Sequence, residues 1–191
     1  MQLTGGQYKG RKIEISGKTR PTLAIVRESV FNSLWSAFGE FEGLKFLDMF
    51  LGSGIISLEA VSRGFDVQSY EIDPQAIKTA QKNAQGFKNL PKITRADCFR
   101  ALDKNNEKYE VIYADPPWSF SYLKVFEQIE KHLQKNGIAI VECEKRKKPE
   151  VLEELSQFST LELFKEKNYG RCYLLFIKFN YDSDETESLS T

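Results

Sequence analysis

Three short stretches gather residues that could do chemistry. The first is FLDMFLGSG, Phe46 to Gly54, in which Asp48 precedes a turn carrying Gly52 and Gly54. Glycine permits positive φ and lets a ligand approach the backbone closely. A glycine pair between a strand and a helix is where an α/β sheet receives a nucleotide-like ligand. The second is YEID, where Glu71 ends the next strand, seventeen residues past Gly54. A carboxylate there can accept both hydroxyls of a ribose. The third is DPPW, Asp115 to Trp118. Its prolines donate no backbone hydrogen bond and hold a rigid extended turn, which leaves the Pro116 carbonyl as a fixed acceptor beside the Asp115 carboxylate. Two such acceptors suit one NH₂ group.

The ligand of the glycine turn can be narrowed from the residues alone. NAD is one candidate, but the dinucleotide pattern G-x-G-x-x-G needs glycine or alanine where Ser57 stands. Asp48 also puts a carboxylate in the site, which repels a pyrophosphate and attracts an ammonium or sulfonium. S-adenosylmethionine has both cations and a ribose, so the reading moves from NAD to S-adenosylmethionine. Asp97, after the third strand, can accept from the adenine amino group, with Cys98 supplying backbone beside it, and Asp97 can also cap the helix that follows. No base lies near Cys98 in sequence, so a packed thiol is favoured over a nucleophile.

An exocyclic amine on a base is a poor nucleophile because its lone pair is delocalised into the ring. Accepting both its protons favours a pyramidal nitrogen and stabilises the positive charge that methyl transfer builds up, a case of electrostatic preorganisation. Trp118 can stack on the base, and a base within a helix must first leave its stack. The chemistry expected of DPPW is therefore transfer of a methyl group to a planar amine, with Asp115, Pro116, Pro117 and Trp118 as the catalytic set.

These residues need a frame. From Lys45 the pattern alternates strand and helix: LKFLDMF, helix GIISLEAVSR, strand FDVQSYEI, a helix opened by Asp73-Pro74 and running to about Gly86, strand KITRA, a short helix near 98–104, strand YEVIYA, a helix over 121–135 stopped by Asn136-Gly137, strand IAIVECE, a helix near 149–157, and strands TLELFKEKNYG and GRCYLLFIKF. Repeated strand–helix units imply a parallel sheet with helices on both faces. The last two strands share only a short link near Tyr169-Gly170, too short for a parallel crossover, so they pair antiparallel. Upstream, residues 1–15 read as a small β-hairpin or loop. Leu23, Val26, Val30 and Leu34, joined by Phe31, Trp35 and Phe38, make an apolar helical stripe closed by Gly39 and Gly43.

At 191 residues and 41% apolar content the chain suits one α/β domain over residues 1–180, with residues 1–40 as an N-terminal extension and 181–191 as an acidic, disordered tail. No apolar run of membrane-spanning length and no signal core are seen. Cys98, Cys143 and Cys172 are too scattered for a disulfide framework or a zinc site, which suits a reducing cytoplasm. Net charge is zero but uneven: six bases against two acids give residues 1–30 a charge of +4, and the last ten residues carry −4. A basic end is either a solvated face or a footprint for nucleic acid. The run Lys145 to Lys148 reads as a solvated loop, and His132 as a surface residue late in a helix.

FLDMFLGSG, YEID and DPPW resemble the motifs of amino-directed methyltransferases that use S-adenosylmethionine. GGQYKGRK, then RPT…VRESVFNSL, and the closing NYGRCYLLF resemble the bacterial family that methylates guanine N2 in 16S ribosomal RNA, over residues 1–178. Leu51 stands where that family usually has alanine, and Trp118 where it has phenylalanine or tyrosine. The resemblance implies a seven-stranded, doubly wound, Rossmann-like methyltransferase sheet with an antiparallel C-terminal hairpin. It further implies that Asp48, Phe50, Gly52, Ser53, Gly54, Glu71, Ile72, Asp97 and Cys98 surround S-adenosylmethionine. Asp115 and Pro116 would orient the guanine amine, and Lys9, Arg11, Lys12, Arg20 and Arg27 would face RNA or close the site. For Arg20 and Arg27 surface ion pairing is an equal alternative. The implied partner is 16S RNA, the small ribosomal subunit or its assembly particle; no metal or membrane is expected, and a monomer is. DPPW alone equally allows adenine N6 or a protein glutamine as target, and a non-catalytic assembly factor is the remaining alternative.

Overall fold

The computed structural model describes residues 1–15, 22–117 and 120–180. They fall into two compact units, Met1–Asn105 and Asn106–Thr191. In the first unit, helix α1 (Ala24–Phe38) buries Val26, Val30, Phe31 and Leu34 and ends at Gly39, whose φ of 71° stops the helix. Two members of the expected stripe leave it. Leu23 is the extended residue before the helix, and Trp35 lies on the outer side with its ring edge-on to Phe41, each 58% exposed. Ahead of α1, the segment expected as a small hairpin or loop folds back on itself: Gln2 and Lys12 form an antiparallel bridge, and the Leu3 and Ile13 amides donate to the Arg11 and Met1 carbonyls at 3.0 and 2.8 Å.

Strands β1 (Lys45–Asp48), β2 (Asp66–Glu71) and β3 (Lys92–Arg95) pair in parallel, β2 lying between the other two. Helices α2 (Ile55–Ser62), α3 (Pro74–Ala84) and α4 (Cys98–Leu102) follow them in turn. Every residue of α2 is buried, Ser57, Glu59 and Ser62 included, so this helix is enclosed on all sides and shows no amphipathic stripe. Asp73 caps α3 by accepting from the Gln75 amide at 2.8 Å, with Pro74 in the first turn.

The second unit holds β4 (Tyr109–Ala114), α5 (Leu123–His132), β5 (Leu133–Glu144), α6 (Lys148–Leu155), β6 (Leu161–Tyr169) and β7 (Cys172–Phe179). Strands β4 and β5 are parallel, and β7 is antiparallel to both β5 and β6. The final hairpin thus has the direction its short link demanded. Its second strand lies inside: β7 buries Leu174, Leu175, Phe176 and Ile177, whereas β6 alternates half-buried with exposed residues and carries Lys165, Glu166 and Lys167. A strand apolar on both faces belongs in the interior and a charged one at the edge. Helix α5 ends at His132, and β5 begins at Leu133 with a register shift opposite Tyr109 and Val111. Asn136-Gly137 therefore lies inside an irregular strand rather than stopping a helix. A Cβ at Gly137 would fall 2.9 Å from the Glu110 carbonyl, so backbone packs where a side chain has no room.

Candidate active site

The glycine turn follows β1 directly. Gly52 and Gly54 have φ of 52° and 78°, a region that side chains disfavour. A Cβ on Gly54 would also lie 2.9 Å from that of Ala80, so this glycine lets α2 start against α3. The turn is wired to the end of β2 by one carboxylate. Glu71 accepts from the Gly52 amide at 2.9 Å on Oε2, and from the Ile72 and Asp73 amides at 2.8 and 2.9 Å on Oε1. Each oxygen has two lone pairs, so Oε2 retains capacity for a hydroxyl.

Asp48, the last residue of β1, is buried. It accepts from the Ser57 hydroxyl at 2.6 Å and from the Phe50 amide at 3.3 Å, and Ser57 is in turn 2.8 Å from the Ser69 hydroxyl. Burial pushes the Asp48 carboxyl up to about 6; the Ser57 and Phe50 hydrogen bonds pull it down, and the Glu71 charge pushes it further up. Ser57, which sets this turn apart from a dinucleotide fingerprint, is thus the donor that holds Asp48. That pairing spans nine residues and carried no recognised sequence signal.

The remaining first-unit residues sit at the same strand ends. Phe50 is half-buried and edge-on to Phe99. Ser53 is buried, its carbonyl 3.4 Å from the Asn83 amide nitrogen. Ile72 is 66% exposed immediately after Glu71, an apolar side chain set beside the turn with little cover from the protein. Asp97 caps α4 through the Arg100 amide at 3.0 Å, which occupies one oxygen. Cys98 is buried, and burial followed by the Asp97 charge pushes its thiol up to about 12, so it is a packed thiol and no nucleophile. From Phe46 through Ser62 there are two acids, Asp48 and Glu59, and no base. A turn with Asp48 and Glu71 and no cation suits hydroxyls and positive charge, not a pyrophosphate. On that donor set, the residues present fit S-adenosylmethionine.

In the second unit, Asp115 follows the last residue of β4, half-buried, with Pro116 buried and Pro117 exposed. The Phe120 amide donates to the Pro117 carbonyl at 2.9 Å. Trp118 lies outside the described residues, as do Arg20 and the acidic tail.

The basic N-terminal residues divide. Lys9 and Lys12 are exposed, while Arg11 lies over the Phe87 ring at 4.5 Å and donates to the Gln85 carbonyl. Arg27 corrects both expectations made of it. It is 1% exposed, pairs with the buried Glu59 at 3.0 Å, and donates to the carbonyls of Thr22 and Gln2 at 2.5 and 2.8 Å. A side chain so enclosed neither faces RNA nor forms a surface pair. Glu59 also takes Arg63 and the amide and hydroxyl of Thr4, and Ser62 accepts from the Tyr8 amide and donates to the Gly5 carbonyl. Helix α2 thereby anchors the segment that presents Lys9 and Lys12. His132 is likewise corrected: it is buried, with Nδ1 at 2.7 Å from the Glu107 carbonyl. Of the Lys145–Lys148 run, Lys145 and Arg146 are exposed, as a solvated loop expects, while Lys147 and Lys148 are half-buried and Lys148 opens α6; Arg146, Lys147 and Lys148 pair with Glu144, Glu150 and Glu166.

The seven-stranded mixed α/β fold, with a glycine turn after β1, an acidic residue ending β2 and Asp-Pro-Pro following β4, is a Rossmann-like methyltransferase fold. Residues 1–178 match the family model described as Conserved hypothetical protein 95, and the chain belongs to that family of methyltransferases. It is 30% identical over 183 residues to the ribosomal RNA small subunit methyltransferase D of Buchnera aphidicola, covering 90% of this chain and 91% of that one. It is 36% identical over 101 residues to the ribosomal protein L11 methyltransferase of Dictyoglomus turgidum, covering 52% and 32% respectively. Among solved structures, a hypothetical protein of Thermus thermophilus superposes with a TM-score of 0.78 at 21% identity, covering 93% and 99% of the two chains.

Proposed function

We propose that this protein transfers a methyl group from S-adenosylmethionine to the exocyclic N2 amine of a guanine in 16S ribosomal RNA, as a cytoplasmic monomer acting on the RNA, the small subunit or its assembly particle. What supports the reading is the Asp115-Pro116 pair directly after β4, which would offer two acceptors to one NH₂, in a chain similar over nine tenths of its length to a small-subunit RNA methyltransferase.

Asp48, Phe50, Gly52, Ser53, Gly54, Glu71, Ile72, Asp97 and Cys98 would hold the cofactor. Bound there, S-adenosylmethionine would supply the methyl group as an electrophile on a sulfonium sulfur. Glu71 would accept from ribose hydroxyls, Ile72 would cover the adenine, and the free oxygen of Asp97 would accept from the adenine amine. The Asp48 carboxylate would favour the cationic side of the ligand. At the amine, the Asp115 carboxylate and Pro116 carbonyl would each accept one N–H, drawing the nitrogen lone pair out of the ring and stabilising the charge it acquires. Trp118 would stack on the base. Lys9, Arg11, Lys12 and Arg20 would contribute to RNA phosphate binding.

The assay is incubation of small-subunit RNA and particles from a strain lacking the protein with labelled S-adenosylmethionine, followed by nucleoside mass spectrometry. N2-methylguanosine is the expected product. N6-methyladenosine, or label in ribosomal protein as the stretch shared with the L11 methyltransferase would favour, overturns the proposal.

A further inference from the structure

Asp115 and Pro116 recognise an NH₂ group, and adenine and guanine both carry one. The difference lies beside the amine: N1 of guanine bears a hydrogen next to the C2 amine, whereas N1 of adenine is a lone pair. A guanine-selective site therefore needs an acceptor next to the one that takes the amine. In the second unit a carboxylate occupies such a place. Strands β4 and β5 are parallel with Tyr113 opposite Ile140 and Ala114 opposite Val141. Asp115 directly follows the last paired residue of β4 and Glu142 follows Val141 in β5, so this register carried one residue further would set the two on the same face, one interstrand spacing of roughly 4.8 Å apart.

Glu142 is half-buried and held by two neutral donors. The Tyr113 hydroxyl donates to Oε2 at 2.6 Å and the Cys172 thiol to Oε1 at 2.9 Å. Burial, with the neighbouring Glu142 charge, pushes the Cys172 thiol well up, so it stays protonated and keeps donating. The Asp115 charge acts on the same group, which puts Asp115 within electrostatic reach of the cluster. Tyr122 fixes the backbone of the same residue, its hydroxyl donating to the Glu142 carbonyl at 3.2 Å. Each carboxylate oxygen accepts two hydrogen bonds, so one acceptor position on each is left beyond Tyr113 and Cys172. Among the described residues, its hydrogen-bond partners include no guanidinium or ammonium.

We infer that Glu142 is a specificity-determining residue, accepting the N1–H of the target guanine while Asp115 and Pro116 accept from its C2 amine. Tyr113 and Cys172 are positioning residues that aim it. The inference rests on the guanine-N2 reading and deepens it. A base with a lone pair at N1 would set that lone pair against the carboxylate with no hydrogen between them, a repulsion in place of a hydrogen bond.

The probe is 2-aminopurine, which keeps the C2 amine of guanine and has a bare N1. Once the methylated position is mapped, small-subunit RNA is assembled by ligation with guanine or 2-aminopurine there, and methylation rates are compared within each enzyme. Because the readout is a ratio, the folded fraction of a variant cancels. The natural enzyme is expected to favour guanine by about 10–100-fold, the size of one well-made base-edge discrimination. Glu142→Gln, whose amide can donate to a bare N1, is expected to bring the two within about threefold, and Tyr113→Phe to fall between. A Glu142→Gln ratio equal to the natural one overturns the role of Glu142 while leaving the guanine reading intact. Absence of any N2-methylguanosine with the natural enzyme overturns the guanine reading, and the role of Glu142 with it.

Discussion

In the first unit Asp48 and Glu71 are each closed in by donors from their own neighbourhood, and Glu59 sits between two guanidiniums. In the second, Glu142 accepts from one phenol and one thiol and, among the described residues, from no cation. The first set is built before any ligand arrives: backbone amides and a serine fix the position of negative charge, and the helix behind them is locked by ion pairs. In the second unit, Glu142 keeps acceptor capacity beyond Tyr113 and Cys172. On the proposed function, the first set would serve a cationic cofactor and the second an NH-rich base.

Breaking the enclosed side should show first in stability. Arg27→Ala removes a fully buried partner of Glu59, and a buried pair broken on one side costs about 3–5 kcal/mol. Urea unfolding should show a midpoint lowered accordingly. A change under about 1 kcal/mol would mean that Arg63 and Thr4 alone satisfy Glu59.

Asp48 sharpens the contrast through pH. Its carboxyl is raised from 3.8 to about 6 by burial, so the folded state binds this proton more tightly than the unfolded one. Its contribution to stability is full below the unfolded value and is lost as pH rises through about 6, a swing of about 3 kcal/mol at 1.4 kcal/mol per unit. Asp48→Asn should therefore gain stability relative to the natural protein between pH 4 and pH 8, measured by thermal unfolding at each pH. Affinity for S-adenosylmethionine should weaken as pH falls through about 6 in the natural protein and show no such step in the variant. A pH-independent difference between the two would show that Asp48 stays ionised throughout.

Reading these charges from sequence succeeded where the signal was local. The glycine turn, Glu71 at a strand end, the Asp97 cap and the antiparallel closing hairpin all follow from neighbours within a few residues, and all are found. It failed where a partner is distant in sequence. Arg27 looked like a surface base because Glu59 lies 32 residues away, on a helix whose uniform burial gives no amphipathic stripe. His132 looked exposed because its partner, the Glu107 carbonyl, is backbone and carries no residue signature. Ser57 was noticed only as a missing glycine, and its bond to Asp48 needs both strand and helix in place. The insertion of β7 beside β5 could have been read from the apolar run of Leu174 to Ile177 against the charges of β6.

The smallest effects are expected from the exposed bases. Lys9→Ala and Lys12→Ala should each leave stability within about 0.5 kcal/mol. Each should weaken binding to small-subunit RNA modestly and lower the slope of log affinity against log salt by about one. An unchanged slope in both would remove them from the RNA footprint.

The division between the two sets of carboxylates is tested most directly by Asp115→Ala, measured twice on the same preparation. Calorimetry should show S-adenosylmethionine binding within about twofold of the natural protein, while methyl transfer to small-subunit RNA falls by about 10²–10³-fold, the scale of one lost electrostatic contact to a developing charge. Full transfer activity in this variant would contradict the account, and so would a loss of cofactor binding large enough to explain the loss of transfer.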